Sequence, residues 1–335
     1  MKKGAFRDSF LLRSRVTIFI YLSLLLVLIL IIGYAGRHII FRPWTSRNMV
    51  SAAVVDNSIF CFGGMGENNV FYRDILQIDL EENIIRRLDQ LPQKVIGLRS
   101  EVVNGKIYLI GGLDRTSFSD KILVFDSQSH ELTEFAELPF PAAFGDSTLI
   151  NKDIFYIGGW TGQNYLDTII KIETQTGKVK TIGRLPTPRE YVGTASYQGK
   201  IYLFGGEDHN GHILDDILEI DPENGEVLRT TKLPSPRMYM ETAVLNGKIF
   251  MTGGWADGIP YNDILMMDPV SLEVKTNILG HTSQKLLYKS LVTVGDNIYL
   301  IGGADDLSNR QIGVVKIDIN SKTVSSPSLK SYSWM

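Results

Sequence analysis

The chain has 335 residues, 44% of them hydrophobic and 21% charged, which is an ordinary globular composition with enough length for a large core. Its net charge is −3, and because residues 1–36 hold five basic residues against one acidic residue, a net of +4, the rest of the chain carries −7. This balance argues against a nucleic-acid partner. The single cysteine, Cys61, cannot form an internal disulfide, so cysteine usage leaves the cellular compartment open.

The first predicted element is a membrane segment at residues 16–36. Its sequence, VTIFIYLSLLLVLILIIGYAG, has no charged residue, and a helix of this length at 1.5 Å per residue matches the ~30 Å hydrocarbon core of a bilayer. A buried core helix is a poorer explanation, because such helices are rarely apolar on every side. A cleaved signal peptide is an alternative, since "GYA" has small residues at both ends, but the apolar run is longer than the usual ~7–15 residues. We predict an uncleaved signal-anchor.

Basic residues flank this segment unevenly, with Lys2, Lys3, Arg7, Arg13 and Arg15 before it and Arg37, Arg42 and Arg47 after it. The positive-inside tendency therefore favours a cytoplasmic N-terminus and an extracytoplasmic remainder, which is a single-pass localisation in the membrane. The linker, residues 37–45, extends at most roughly 30 Å. We therefore expect the partner to be a membrane neighbour, either a protein or a glycan.

A phrase of turn, apolar run and glycine pair recurs six times after residue 45, as in "NGKIYLIGG". The first glycines of the pairs are Gly63, Gly111, Gly158, Gly205, Gly253 and Gly302. This near-constant spacing indicates stacked copies of one supersecondary unit. An isoleucine lies four residues before each pair and an aromatic residue three before it, which is typical of central strands.

Each repeat predicts four strands. A small-residue strand precedes the turn, a second apolar run ends in an acid, as in "ILQID" and "ILEID", and a more polar strand follows. Six units of four antiparallel strands A, B, C and D predict an all-β, six-bladed β-propeller. A linear all-β solenoid is less suitable because no unit is an obvious polar cap.

The "IYLIGG" runs, glycine pairs and repeat length resemble kelch repeats over about residues 46–330. The usual tryptophan of the fourth strand is absent, with "KVKTIGRLP" and "EVLRTTKLP" in its place. The resemblance implies a kelch-type propeller but leaves function open, since such propellers include protein-binding modules, a copper oxidase and sialic acid epimerases. The expected organisation is a cytoplasmic tail 1–15, a transmembrane helix 16–36, a linker 37–45 and a propeller 46–335, with repeats of about 46–92, 93–139, 140–186, 187–234, 235–280 and 281–335.

Strand counting places the D–A links between blades and the B–C loops after the glycine pairs on one face, where we expect the ligand-binding mouth. The candidate residues on this face are Arg47, Arg189, Arg237, Phe144, Tyr191, Tyr239, Tyr288, Trp160 and Trp255. Aromatic planes with guanidinium groups suit a glycan, an acidic sugar or a peptide carboxylate. Packing between blades is the competing interpretation of the same residues.

Other polar residues give weaker signals. Arg99 and Asp146 occupy one register in adjacent blades and predict an ion pair near the axis. Glu101 and Glu241 are the carboxylates that we nominate as acid/base candidates, without a predicted catalytic role. His209 and His212 lie in an Asp-rich loop, but their spacing fixes no metal geometry. No metal or other cofactor is expected, and the copper chemistry of the oxidase does not fit the single cysteine.

The sequence therefore predicts a membrane-anchored, extracytoplasmic kelch propeller that acts as a protein- or glycan-binding or scaffolding module. The alternative is a carbohydrate-active enzyme resembling the kelch-fold sialic acid epimerases and mutarotases. An enzyme requires unpaired, desolvated acid or base groups at the axis, whereas a binding module requires an aromatic or charged surface.

Overall fold

The computed structural model describes residues 47–66, 69–276, 278, 289–303, 313–327 and 329–331. The predicted tail, membrane helix and linker lie outside these residues, as do Thr45, where we expected the first strand to begin, and Tyr288. Within the described ranges, no helix has the length and apolar character needed to cross a bilayer. The described residues form an all-β propeller of six blades, each a meander of four antiparallel strands.

The first three blades each use four consecutive strands. Blade 1 contains β1 (Ser51–Val55), β2 (Ser58–Phe62), β3 (Asp74–Asp79) and β4 (Ile84–Gln90). Blade 2 contains β5 (Arg99–Val103), β6 (Lys106–Ile110), β7 (Lys121–Asp126) and β8 (Leu132–Glu137). Blade 3 contains β9 (Asp146–Ile150), β10 (Asp153–Ile157), β11 (Thr168–Glu173) and β12 (Val179–Arg184).

Blades 4 and 5 add short ladders in their loops. Blade 4 contains β13 (Arg189–Glu190), β14 (Gly193–Tyr197), β15 (Lys200–Phe204), β16 (Glu207–Asp208), β17 (Asp216–Ile220) and β18 (Val227–Lys232). Blade 5 contains β19 (Glu241–Leu245), β20 (Lys248–Thr252), β21 (Trp255–Ala256), β22 (Ile259–Pro260), β23 (Ile264–Met267) and β24 (Val274–Lys275). Blade 6 contains β25 (Ser290–Val294), β26 (Asn297–Ile301), β27 (Val314–Asp318) and β28 (Thr323–Ser325), and β29 (Lys330–Ser331) follows it.

The second and third strands supply the core, as the repeated isoleucine and aromatic positions predict. Ile107 and Tyr108 of β6 are buried, and they lie in two different apolar clusters because successive side chains of a strand face opposite sides. One of these clusters joins blades 1 and 2, and the other joins blades 2 and 3. The core is therefore a series of apolar layers between neighbouring blades.

In five of the six blades, the glycine pair contacts the link that leads into the next blade. The N–H of Gly64 donates to the carbonyl of Val95 in the following link at 2.9 Å. Gly63 has a φ of 62°, and a Cβ there would lie 2.4 Å from the same carbonyl oxygen. Only glycine permits this approach without a clash or backbone strain.

The same contact closes the ring between the last blade and the first. The N–H of Gly303 donates to the carbonyl of Arg47 at 2.8 Å, and a Cβ on Gly302 would lie 2.7 Å from that oxygen. The first strands of neighbouring blades also contact one another in an unbroken circle, β1 and β25 included. The six blades therefore surround a central axis.

The last two strands, β28 and β29, lie in different blades. β28 pairs with β27 as the fourth strand of blade 6. β29 instead pairs in parallel with β4, and the N–H of Lys330 donates to the carbonyl of Asn83 at 2.7 Å. Leu329 packs on the apolar cluster between blades 6 and 1. The chain thus crosses from the last blade onto the outer edge of the first.

Candidate functional site

The links before the first strands and the loops after the glycine pairs lie on one face, as the strand count predicts. Isolated β-bridges join a link residue to a loop residue in four blades, namely Asn48 to Met65, Ile96 to Leu113, Ala143 to Trp160 and Met238 to Trp255. We call the surface made of these D–A links and B–C loops the loop face. The prediction that these links and loops lie on one face is confirmed.

The three predicted arginines of the loop face are buried inside their own blades. Arg189 is 1% exposed, and its two terminal nitrogens lie 2.6 and 3.0 Å from the carboxylate oxygens of Asp216. Arg237 pairs with Asp263 in the same way, at 2.5 and 2.8 Å. Arg47 contacts Asp74 at 2.6 Å. Bidentate pairs of this kind fix the start of the third strand.

This arrangement favours packing within the blade over contact of these guanidinium groups with a ligand. Arg47 and Arg237 also lie 3.9 Å from the ring centroids of Tyr72 and Tyr261, and these rings cover them. Nη1 of Arg189 donates a further bond to the carbonyl of Gly205 at 3.1 Å. The competing interpretation, in which the arginines are packing residues, fits this geometry.

Phe144, Tyr191 and Tyr239 form a partly exposed stack that we call the aromatic staircase. The ring centroids of Phe144 and Tyr191 are 5.0 Å apart, and those of Tyr191 and Tyr239 are 4.0 Å apart. The N–H of each residue donates to the equivalent carbonyl of the preceding blade, at 3.1, 2.8 and 3.0 Å. All three have a positive φ, between 55° and 60°. The sequence therefore identified three residues that the fold brings together at the axis.

The two predicted tryptophans start loops on the same face. Trp160 meets the ring of Phe118 edge-on at a centroid distance of 5.2 Å. Trp255 pairs with Pro260 in the short ladder of β21 and β22. Both side chains are half-buried. Among the described residues, neither tryptophan has a ring contact with the aromatic staircase.

An acidic feature of the loop face was missed by the sequence analysis. Glu190 and Glu207 lie directly opposite each other in the ladder of β13 and β16, and like charges in such positions repel. Burial raises the pKa of Glu190 to about 7, with a hydrogen bond from Tyr165 opposing the shift. The Oε2 atom of Glu190 is buried without a hydrogen-bond partner. The only available signal was its position directly after Arg189 in "PTPRE".

The centre of the propeller contains a cavity of about 360 Å³, which we call the axial cavity. First strands from all six blades line it, and the lining extends to Val54, Val244 and Thr293, the penultimate residues of their strands. The axial cavity therefore runs along the first strands, from their first residues almost to the A–B turns. A second cavity of about 50 Å³ lies under the aromatic staircase.

Arg99 lies between these two cavities and crosses the axis. Its Nε is 3.1 Å from Oδ1 of Asp146, which confirms the predicted ion pair. Its Nη1 is 2.9 Å from Oε1 of Glu241 in blade 5, a contact that was not predicted. Asp146 also accepts a hydrogen bond from the N–H of Thr194 at 2.6 Å. One arginine thus links three blades.

The two nominated acid/base residues both line the axial cavity. Burial raises the pKa of Glu241, while Arg99 opposes the shift. Burial also raises the pKa of Glu101 to about 7, against a hydrogen bond from Ser147 at 2.8 Å. Glu241 is held by its ion pair, so Glu101 is the carboxyl group with an oxygen open to the axial cavity.

The histidine loop has no metal-binding arrangement in the described residues. Nδ1 of His212 lies 3.1 Å from Oδ2 of Asp208, and backbone N–H groups of His212 and Asn210 bond the other oxygen, Oδ1. No group of three or more histidine, cysteine, aspartate or glutamate side chains in this part of the chain is placed to hold a metal ion. The carboxylate of Asp208 instead organises the turn that contains His209.

Comparisons with known proteins agree with this architecture. A family model described as the KLHDC2/KLHL20/DRC7 Kelch-repeats domain matches residues 173–303, and one described as the Kelch motif matches residues 97–138. No curated protein matches the chain. A solved structure described as "Structure of YjhT" aligns with a TM-score of 0.70 and 14% identity, over 85% of this chain and 99% of that chain.

At this identity the structural likeness establishes the fold and leaves the activity open. The matched repeats, the glycine-pair contacts and the closed ring of first strands all describe one architecture. The chain carries a kelch-repeat β-propeller domain.

Proposed function

We propose that the propeller is a non-catalytic binding module that holds its ligand on the loop face, against the aromatic staircase. The observation that carries the proposal is the stack of Phe144, Tyr191 and Tyr239, which leaves three large rings partly exposed at the centre of this face. Aromatic side chains of this kind supply contact area at low entropic cost, and they are enriched in binding sites.

The backbone of the aromatic staircase supports a functional role. Bulky residues rarely adopt a positive φ, and each one in the left-handed region costs roughly 1 kcal/mol or more. Here Phe144, Tyr191 and Tyr239 all adopt it, where glycine or asparagine would do so more easily. Retention of three costly aromatic residues at equivalent positions is explained if their rings contact a ligand.

Charge on the loop face bears on the class of ligand. Arg47, Arg189 and Arg237 are neutralised by partners inside their blades. Glu190 and Glu207 lie beside the aromatic staircase in the ladder of β13 and β16. This distribution favours a neutral or basic protein surface, or a neutral glycan, over the acidic sugar considered from the sequence.

The alternative, a carbohydrate-active enzyme, has less support from the axis. Such an enzyme requires an acid or base that is free to react. Arg99 instead pairs with Asp146 and Glu241, and Glu101 accepts a bond from Ser147. Asp146 and Glu241 are thus held in ion pairs, and only one oxygen of Glu101 has a hydrogen-bond partner. A single open carboxyl group at the axis favours binding over acid/base catalysis.

We further propose that residues 16–36 anchor the propeller in a membrane with the propeller outside. The proposal rests on the length of this charge-free stretch and on the five basic residues before it. Protease added to intact cells or spheroplasts should remove the propeller. A fully protected propeller would overturn the topology.

The binding function is tested by affinity capture with the tagged full-length chain against membrane proteins and a glycan panel. The test variant is Tyr191→Asn combined with Tyr239→Asn, because asparagine tolerates a positive φ while the rings are lost. The control is Leu228→Ser, an exposed residue on an outer strand. We expect the double variant to lose a ligand that the wild type and the control both retain. Equal capture by all three would reject the loop face as the site.

A further inference from the structure

The axial cavity is separate from the proposed loop-face site. The contact of Arg99 with Glu241 crosses the axis between the axial cavity and the smaller cavity under the aromatic staircase. The volume of the axial cavity, about 360 Å³, corresponds to roughly ten waters at ~30 Å³ each. The axial cavity therefore has room for a small molecule or for the end of a side chain.

The wall of the axial cavity is rich in hydrogen-bond acceptors. Several hydroxyl groups that line it donate their protons to backbone carbonyls or to the carboxylate of Glu101, and so present lone pairs to it. These are Ser147 to Glu101 at 2.8 Å, Thr194 to the carbonyl of Ser147 at 3.0 Å, Ser196 to the carbonyl of Leu149 at 2.7 Å, and Thr242 to the carbonyl of Thr194. Such a wall favours a ligand that donates hydrogen bonds.

Glu101 supplies a negative charge without a hydrogen-bonded cation. Its Oε1 accepts one bond, from Ser147, and its Oε2 makes no hydrogen bond within the described part of the chain. Arg99 on the same strand directs its Nε and Nη1 to Asp146, the carbonyl of Gly145 and Glu241. A desolvated carboxylate is stabilised when a cation pairs with it.

We propose that the axial cavity is a second ligand site, specific for a small cationic hydrogen-bond donor such as a primary ammonium group, with Glu101 as the pairing carboxylate. The ammonium group pairs with Oε2, and its remaining N–H bonds reach the hydroxyl oxygens of the wall. A neutral donor of the same size makes the hydroxyl contacts but lacks the ion pair. The site therefore discriminates by charge.

The surroundings of Glu101 set the pH dependence of binding. The charged groups around it are Arg99 on β5, Asp146 on β9 and Glu241 on β19, while β1, β14 and β25 line the axial cavity with hydroxyl and apolar side chains. Burial raises the pKa of Glu101 to about 7. The carboxyl group is then about 90% ionised at pH 8 and about 10% at pH 6, so binding of the cation should weaken by about tenfold over this range.

The test uses the purified full-length chain with two probes of matched size, 2-aminoethanol and ethylene glycol, titrated by calorimetry or saturation-transfer NMR. We expect 2-aminoethanol to bind at least tenfold more tightly than ethylene glycol at pH 8, with this preference reduced about tenfold at pH 6. Equal binding of the two probes at pH 8, or no binding of the amine, overturns the proposal. This comparison is made on the wild-type chain and needs no variant.

The assignment to Glu101 is tested by Glu101→Gln, which keeps the shape and the acceptor for Ser147 but removes the charge. The matched control is Glu131→Gln, an exposed carboxylate in the same blade. We expect Glu101→Gln to bind the two probes equally and Glu131→Gln to behave as the wild type. Unchanged preference for the amine in a folded Glu101→Gln chain would contradict the role of Glu101.

Discussion

Arg99 and Glu241 contact each other across the centre of the propeller, with Nη1 and Oε1 2.9 Å apart. They belong to blades 2 and 5, which lie on opposite sides of a six-bladed ring. The same guanidinium contacts Asp146 of blade 3 at 3.1 Å. The ring is therefore held by an ion-pair network through its axis as well as by contacts between neighbouring blades.

Replacement of Arg99 by methionine should destabilise the fold. It leaves Asp146 and Glu241 largely buried without their cation, and loss of one partner from such a network costs about 3 kcal/mol. The loss should be larger at pH 8 than at pH 5, where the carboxyl groups can be protonated. Urea unfolding at the two pH values measures the loss in free energy of unfolding. Addition of Glu241→Gln should restore part of the stability, and failure to do so at pH 8 would contradict the network.

Arg189→Met tests whether the buried arginines stabilise the fold or bind the ligand. The variant leaves Asp216 unpaired, so the free energy of unfolding should fall by about 3 kcal/mol while a folded variant retains ligand affinity. The control is Arg184→Met, whose partner Asp167 lies 2.6 Å away at the surface, and which should cost less than about 1 kcal/mol. A binding defect in Arg189→Met without loss of stability would return the arginine to the ligand site.

Because the pKa of Glu190 is raised, we expect the stability of the propeller to depend on pH. Its carboxyl group has a pKa of about 7 in the folded chain against 4.5 as the reference value. Between these pH values the unfolded chain releases the proton and the folded chain retains it, so stability falls as pH rises from about 4.5 to 7. Glu190→Gln should show a smaller fall in melting temperature from pH 5 to pH 8. The exposed Glu131→Gln serves as the control, and identical slopes for all three chains would be inconsistent with a raised pKa.

The seam between blades 6 and 1 should be sensitive to a single methyl group. Gly302→Ala places a Cβ 2.7 Å from the carbonyl oxygen of Arg47 at a φ of 72°, and should cost about 2 kcal/mol. Gly313→Ala, where a Cβ meets no atom of the described residues within 4 Å, is the matched control. Thermal unfolding of the two variants compares them directly. Equal melting temperatures would mean that this seam does not close the ring.

The C-terminal strand should contribute to closure as well. Deletion of residues 326–335 removes β29 from β4 and Leu329 from its cluster, and should cost about 2 kcal/mol from lost apolar burial and hydrogen bonds. Deletion of residues 332–335 alone keeps β29 and provides the comparison. If both truncations melt at the wild-type temperature, the strand has no closing role.

The fold was predictable because the same sequence pattern occurs in six repeats. Six copies of the same apolar run fix the second strand in every blade, and the glycine pair marks the close approach of the next link, as at Gly63 and Val95. Phe144, Tyr191 and Tyr239 of the aromatic staircase were predicted from their equivalent positions before the glycine pairs. The crossing of β29 to blade 1 was not predictable, because β29 follows the fourth strand of the last repeat and has no counterpart in the other repeats.

The ion pairs of the arginines were not predicted, because a register shows where a side chain is attached and not where its charged end lies. A signal was present in the sequence. The three blades that have the arginine read Asp-Ile-Leu at the third strand, as at Asp216. The residue in that register is Lys121 in blade 2 and Thr168 in blade 3, and neither of these blades has the arginine. The contact of Arg99 with Glu241 gave no such signal, because opposite blades share no local pattern.

The central claim, that the loop face binds the ligand, is tested most directly by amide hydrogen exchange of the full-length chain with and without the captured ligand. We predict protection of peptides that contain Phe144, Tyr191 and Tyr239, with no change at the A–B turns such as Asn104–Gly105. Protection confined to the A–B turns or to the outer strands, with the aromatic staircase unchanged, would contradict the account.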